Sequence, residues 1–129
     1  MSAHPTILVI DDDPDFVRAT GTVLRSVPYH VVSAGNGAEG LKRALEEKPD
    51  LILLDVIMPM KDGFSTCEAL KADPRLADIP VIMLTSFAQK VAETNLSVGQ
   101  GMNLESDDYI DKPVAPQELL RRVAKWIRK

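Results

Sequence analysis

Residues 51–54 read Leu-Ile-Leu-Leu, an apolar run with no polar position on either alternate face, closed by Asp55. A strand with one wet face alternates apolar and polar side chains, so an unbroken run predicts a strand covered on both sides, as in a parallel sheet. Residues 7–10 (Ile-Leu-Val-Ile) and 81–84 (Val-Ile-Met-Leu) repeat the pattern, and each is again followed by a polar side chain, Asp11 and Thr85. Longer amphipathic stretches separate the runs. Strands alternating with helices imply right-handed crossovers and an α/β fold with helices on both faces of the sheet.

The boundaries predicted are strands at 6–10, 29–34, 51–54 and 81–84, and a short one near 109–110. Helices are expected from 14 to about 27, from 36 to about 48, over 64–72 and over 116–128. Asp13 stands at an N-cap position with Pro14 first in the helix, and Asn36 with Glu39 three residues on resembles a capping box. Ala38, Leu41, Ala44 and Leu45 fall at the spacing of one buried helical face, as do Leu119, Leu120, Val123, Ala124 and Ile127 in the terminal helix. Residues 88–106 carry Asn95, Gly99, Gly101 and Asn103, which predict a short or irregular helix and a long loop.

A chain of 129 residues is expected to form one domain, spanning 1–129 with its core at about 6–127. Nineteen acidic against fifteen basic residues leave a net charge of −4, with no surplus of cations to displace phosphate counterions, so direct nucleic-acid binding is not expected. The single cysteine, Cys67, cannot pair within the chain and reads as a small buried hydrophobe in a reducing compartment. No apolar run is long enough to span a bilayer, and no basic leader precedes one. The expectation is a cytoplasmic domain without membrane contact. His4 and His30 have no neighbours in sequence that suggest a metal or phosphohistidine site, and Asp62-Gly63 reads as turn chemistry.

In sheets of this kind ligands bind beyond the carboxyl ends of the strands, at the topological switch point. Asp11 and Asp12 follow the first strand, Asp55 ends the third, Thr85 ends the fourth and Lys112 follows the fifth. Carboxylates gathered in one place repel, and a hard divalent cation such as Mg²⁺ compensates them through oxygen ligands. Together with an ammonium and a hydroxyl, this set suits phosphoryl transfer to an aspartate, chemistry that rests on positioning and charge stabilisation.

Five blocks carry a resemblance to the response-regulator receiver domain family over about residues 6–127. They are Ile7-Leu8-Val9-Ile10-Asp11-Asp12-Asp13, Pro49-Asp50-Leu51-Ile52-Leu53-Leu54-Asp55, Met58-Pro59 with Asp62-Gly63, Thr85-Ser86, and Asp108-Tyr109-Ile110-Asp111-Lys112-Pro113. The resemblance implies a flavodoxin-like, doubly wound five-stranded parallel sheet of order 2-1-3-4-5. It implies Asp55 as phosphoacceptor, and Thr85 and Lys112 as holders of the phosphoryl oxygens. Mg²⁺, or Mn²⁺ in its place, is implied on Asp11, Asp12, Asp55 and the backbone carbonyl of Ile57. Tyr109 matches the aromatic switch position, the Lys112–Pro113 bond is implied to be cis, and Ile57 and Phe87 occupy positions that influence dephosphorylation. Both are bulky and apolar and cannot orient a water, so slow self-dephosphorylation is expected.

The resemblance further implies two-component signalling. A histidine kinase or histidine phosphotransfer protein donates the phosphoryl group. A downstream protein partner reads the face of the fourth helix, fifth strand and fifth helix. The domain is monomeric or dimerises on phosphorylation, and acts as a regulatory module that assists only its own phosphorylation and dephosphorylation. The stretch between Thr85 and Lys112 is longer than usual for the family: either the fourth helix is intact before an extended loop, or it is remodelled for a partner. The sequence closes soon after the terminal helix, which fits a stand-alone receiver or the amino-terminal receiver of a longer protein. Two alternatives stay open: a receiver-fold scaffold indifferent to phosphorylation, and a Mg²⁺-dependent aspartyl-phosphate phosphohydrolase using Asp11 and Asp13. Pro14 and the immediate helix leave the hydrolase no room for a substrate cap.

Overall fold

The computed structural model describes residues 4–55, 63–85, 107–111 and 114–127. The run that constrains the sequence most becomes β3 (Leu51–Asp55), buried along its whole length. It lies between β1 (Thr6–Ile10) and β4 (Val81–Thr85), with β2 (His30–Ala34) and β5 (Asp108–Asp111) at the edges. All pairings are parallel, in the order β2-β1-β3-β4-β5, as the family resemblance implied.

Alternation along each strand divides the core in two. Leu8, Ile10, Ile52, Leu54, Val81 and Met83 point to one face, where α2 (Gly37–Glu47) and α3 (Gly63–Ala72) supply Ala44, Cys67 and Leu70. Ile7, Val9, Leu51, Leu53, Ile82 and Leu84 point to the other, where α1 (Pro14–Arg25) and the terminal helix α4 (Pro116–Ile127) supply Leu24, Leu119 and Val123. Cys67 is fully buried in the first cluster, as its reading as a small hydrophobe requires. No helix among the described residues is long and apolar enough to cross a membrane.

The caps fall where the sequence places them. Asp13 accepts the N–H groups of Asp15 and Phe16 through Oδ1, and Asn36 accepts that of Glu39. Glu39 in turn accepts the Gly35 N–H at 2.9 Å, so the capping device closes one residue earlier than the usual box. Three details differ from the sequence reading. Helix α1 stops at Arg25, short of 27, because Val27 precedes Pro28 and the ring of a proline disfavours helical backbone in the residue before it. The second strand starts at His30 rather than Tyr29.

The third difference concerns the buried face of α2. Leu41, Ala44 and Leu45 lie against the core as expected, but Ala38 is exposed, and Gly37 and Gly40 are buried beside Ala44. The reason is proximity. A Cβ on Gly40 would lie 2.5 Å from Ile10 Cδ1 and 3.0 Å from its Cγ1, so the helix rests on β1 only because Gly40 has no side chain. The irregular stretch predicted at 88–106 lies outside the described residues.

Candidate functional site

Strand register sets the site. Ile10 pairs with Leu54, so Asp11, the next residue along β1, comes level with Asp55 at the end of β3. Asp55 pairs with Leu84, and Thr85 pairs with Asp111, the residue before Lys112. The carboxyl ends of β1, β3, β4 and β5 thus present these positions in order along one edge, and β1 and β3 flank the point where the winding reverses.

Asp11 and Asp55 are 2% and 5% exposed, whereas Asp12 is open to solvent. One carboxylate oxygen from each of the three lies within 4.8 Å of the others. At that separation an ionised pair repels by roughly 3.5 kcal/mol at an effective dielectric near 20. Two buried acids and one exposed acid therefore form an oxygen-rich cluster that is open to solvent at Asp12. Its donor set fits a hard divalent cation that keeps part of its water shell.

The turn into α1 holds the first of these ligands in place. The Asp11 N–H donates to the Ala34 carbonyl at 3.0 Å, tying the end of β1 to β2, and Asp11 Oδ1 accepts the Asp13 N–H at 2.9 Å. Asp13 is occupied as the helix cap and is not part of the cluster. Of the other residues singled out in the sequence, Thr85 closes β4. Tyr109 is half-buried on β5 and packs against the cluster shared with α2 and α3. Ile57, Phe87, Lys112 and Pro113 lie outside the described residues.

Sequence reasoning missed a second polar group, at the opposite end of β5. Asp108 accepts Arg122 Nη1 at 2.8 Å, Trp126 Nε1 at 2.9 Å and the Tyr109 N–H at 2.8 Å. Burial alone would raise its pKa. The hydrogen bonds from Trp126, Tyr109 and Arg122 and the guanidinium charge outweigh that, and hold the carboxyl below the usual aspartate range. The one local signal was Glu118 four residues before Arg122, a helical ion-pair spacing realised at 2.7 Å.

A lowered folded-state pKa favours the ionised form in the native protein. Its contribution to stability is complete above the unfolded value of about 3.9 and is lost as pH falls from there through the lower folded value. Asp108→Asn is expected to be less stable than wild type at neutral pH, with the gap narrowing below about pH 4 as wild type loses the same contribution. Urea denaturation at several pH values checks this; a gap that stays constant into acid refutes it.

The family description "response regulator receiver domain" matches residues 7–124. The DNA-binding dual master transcriptional regulator RpaA of Synechocystis sp. is 40% identical over 125 residues, covering 97% of this chain and 50% of that protein. The chain thus spans about half the length of the curated relatives it matches. Among solved structures, the receiver domain of a sensor histidine kinase from Pseudomonas aeruginosa PAO1, with a magnesium ion coordinated in its active-site cleft, superposes with a TM-score of 0.85. It is 29% identical and covers 98% of this chain and 100% of that one. A CheY-like response regulator receiver domain protein from Methanospirillum hungatei superposes with a TM-score of 0.83, at 26% identity and coverage of 98% and 95%.

Proposed function

The chain belongs to the response regulator receiver domain family of two-component signalling, and from that premise we propose that Asp55 accepts a phosphoryl group from a phosphohistidine on a kinase or phosphotransfer protein. The observation that carries this reading is the convergence of Asp11, Asp12 and Asp55 within 4.8 Å at the carboxyl edge of the sheet. Mg²⁺ bound there would supply the positive charge that lets a carboxylate approach an anionic phosphoryl group.

The chain's own residues do the rest. A carboxylate oxygen of Asp55 forms the new P–O bond while the P–N bond to the donor imidazole breaks. The electron pair returns to the ring nitrogen, which takes a proton from solvent. Asp11, Asp12 and Asp55, with the backbone carbonyl of Ile57, would hold the cation, and Mn²⁺ would serve in place of Mg²⁺. Burial of Asp11 and Asp55 limits their hydration. Thr85 donates its hydroxyl, and Lys112 its ammonium, to the phosphoryl oxygens.

The product carries about −1.5 to −2 additional charge with three strong acceptor oxygens. Drawing Thr85 toward it vacates space for the half-buried Tyr109 and changes the surface around β5 that a protein partner reads. Ile57 and Phe87, both bulky and apolar, hinder water at the acyl phosphate, and the modified state is accordingly long-lived. Shortening both to Ala is expected to shorten the phosphoaspartate lifetime, measured by loss of the phosphorylated mass over time; an unchanged lifetime removes that role. The phosphoacceptor assignment itself is tested by intact mass after incubation with Mg²⁺ and an acyl phosphate, with Asp55→Asn alongside.

A further inference from the structure

The acidic cluster lies at the carboxyl edge of the sheet, and a groove lies at the amino edge. Three strands open on it: Asp50 directly precedes β3, Pro80 precedes β4 and Asp107 precedes β5. Helix α4 ends at the same edge, where its last turn contributes Trp126 and Ile127. The groove encloses about 360 Å³, far more than the roughly 30 Å³ that a water molecule occupies in the liquid.

Charge along the groove is unbalanced. Lys71 carries the one positive charge among its described lining residues. Its ammonium donates to the Ala77 carbonyl at 3.2 Å, the Ile79 carbonyl at 2.9 Å and Asp107 Oδ2 at 2.8 Å, which uses all three donors. Asp107 Oδ2 also accepts the Val81 N–H, so this ion pair is closed on itself and its two charges offset. Asp50 and Asp78 remain. Both are exposed, and neither carboxylate has an ion-pair partner among the described residues. Asp50 Oδ2 accepts the Thr6 N–H at 2.8 Å, which brings no countercharge.

The rest of the lining is apolar, with Pro80 and Ile127 beside the Trp126 ring. That ring is fixed by its N–H bond to Asp108 at 2.9 Å, and Lys125 Nζ stands 5.5 Å from its centroid, so its π-system is already within reach of a cation. An apolar floor flanked by uncompensated carboxylates matches a side chain with an apolar stem and a cationic head. Arginine fits better than lysine, because a planar guanidinium pairs with a carboxylate through two N–H groups and stacks on aromatic rings.

We propose that this groove docks an arginine-bearing segment of a partner protein, at the edge of the sheet opposite Asp55. The groove shares no residue with the acidic cluster, so the proposal stands apart from the phosphoacceptor reading.

Trp126 is the single tryptophan of the chain, and its emission reports on the groove. The probe is a blocked pentapeptide with a central arginine flanked by leucines. The same peptide with citrulline, which keeps the shape and removes the charge, is the control. A saturable change in emission is expected with the arginine peptide, and binding at least tenfold weaker with citrulline. Asp78→Asn is expected to raise the midpoint about threefold, and Asp50→Asn combined with Asp78→Asn about tenfold, as for exposed ion pairs of ordinary strength. Melting temperatures recorded alongside show that the variants are folded. The absence of a saturable change, or midpoints unmoved by both substitutions, overturns the proposal. Equal affinity for the citrulline peptide assigns the groove to an apolar partner and overturns it as well. So does self-association of the chain without peptide, read by sedimentation and abolished by Asp78→Asn, which assigns the groove to a second copy.

Discussion

Asp55→Asn is expected to gain no phosphoryl mass under conditions in which wild type gains one group. The substitution keeps the size of the side chain and its place at the end of β3, and replaces the nucleophilic carboxylate by an amide. A partial effect is not expected. Asp11 and Asp12 end or follow a different strand and, as the sequence reading has them, face the cation, so neither stands in as acceptor. The variant also removes one of three like charges gathered within 4.8 Å of one another. Without divalent cation its melting temperature is therefore expected to equal or exceed that of wild type.

Added Mg²⁺ raises stability by RT ln(1 + [L]/Kd) when it binds the native state alone, so its stabilising effect is expected to shrink in the variant. The two readouts separate acceptor from ligand: mass reports the nucleophile, and the Mg²⁺-dependent thermal shift reports the cation site. Phosphoryl gain in Asp55→Asn refutes the acceptor assignment. An equal Mg²⁺ shift in both proteins places the cation elsewhere.

Gly40→Val is expected to be strongly destabilising. The first added carbon would stand 2.5 Å from Ile10 Cδ1, 3.0 Å from Cγ1 and 3.2 Å from Cγ2, all inside normal contact distance. Relief requires either a new Ile10 rotamer within a fully buried cluster or movement of α2 away from β1. Overpacking of this kind costs about 1–3 kcal/mol, and a β-branched residue that must move the whole helix belongs at the upper end. For a chain of this size that corresponds to a fall in melting temperature of roughly 10 °C.

Ile10 immediately precedes Asp11, so the strain is passed to a residue of the acidic cluster, and the variant is also expected to bind Mg²⁺ more weakly. Shortening the opposing residue, as in Gly40→Val with Ile10→Ala, is expected to recover part of the loss, a non-additivity characteristic of residues in contact. Thermal unfolding of both single variants and the double variant checks this. Additive losses refute the direct clash.

Much of the fold was legible because its signals are local. The apolar runs at 7–10, 51–54 and 81–84 announce strands covered on both faces, and they are. Asp13 and Asn36 announce helix starts because a cap is satisfied within three residues. The three acids were legible for a related reason. Each directly ends or follows a buried strand, and parallel strands in a doubly wound sheet bring those ends to one edge.

Helix α2 shows where local signals stop. A periodic reading put Ala38 on the buried face, yet Gly37 and Gly40 face the sheet, because the helix approaches β1 closely enough for only a hydrogen to fit. Nothing within the helix encodes that distance. The clasp at Asp108 is similar. Its partners Arg122 and Trp126 stand 14 and 18 residues further along the chain, and in sequence they are an ordinary helical arginine and a lone aromatic.

The sequence by itself therefore determined which segments are buried on two faces, where helices begin, and that three carboxylates share one edge of the sheet. Only the tertiary structure decided how closely α2 approaches β1 at Gly40, and that Asp107 holds Lys71 of α3 while Asp108 holds Arg122 and Trp126 of α4. Periodicity and capping are properties of a few neighbouring residues and survive translation into any packing arrangement. A close approach or a buried ion pair exists only once two distant segments have been brought to a particular separation.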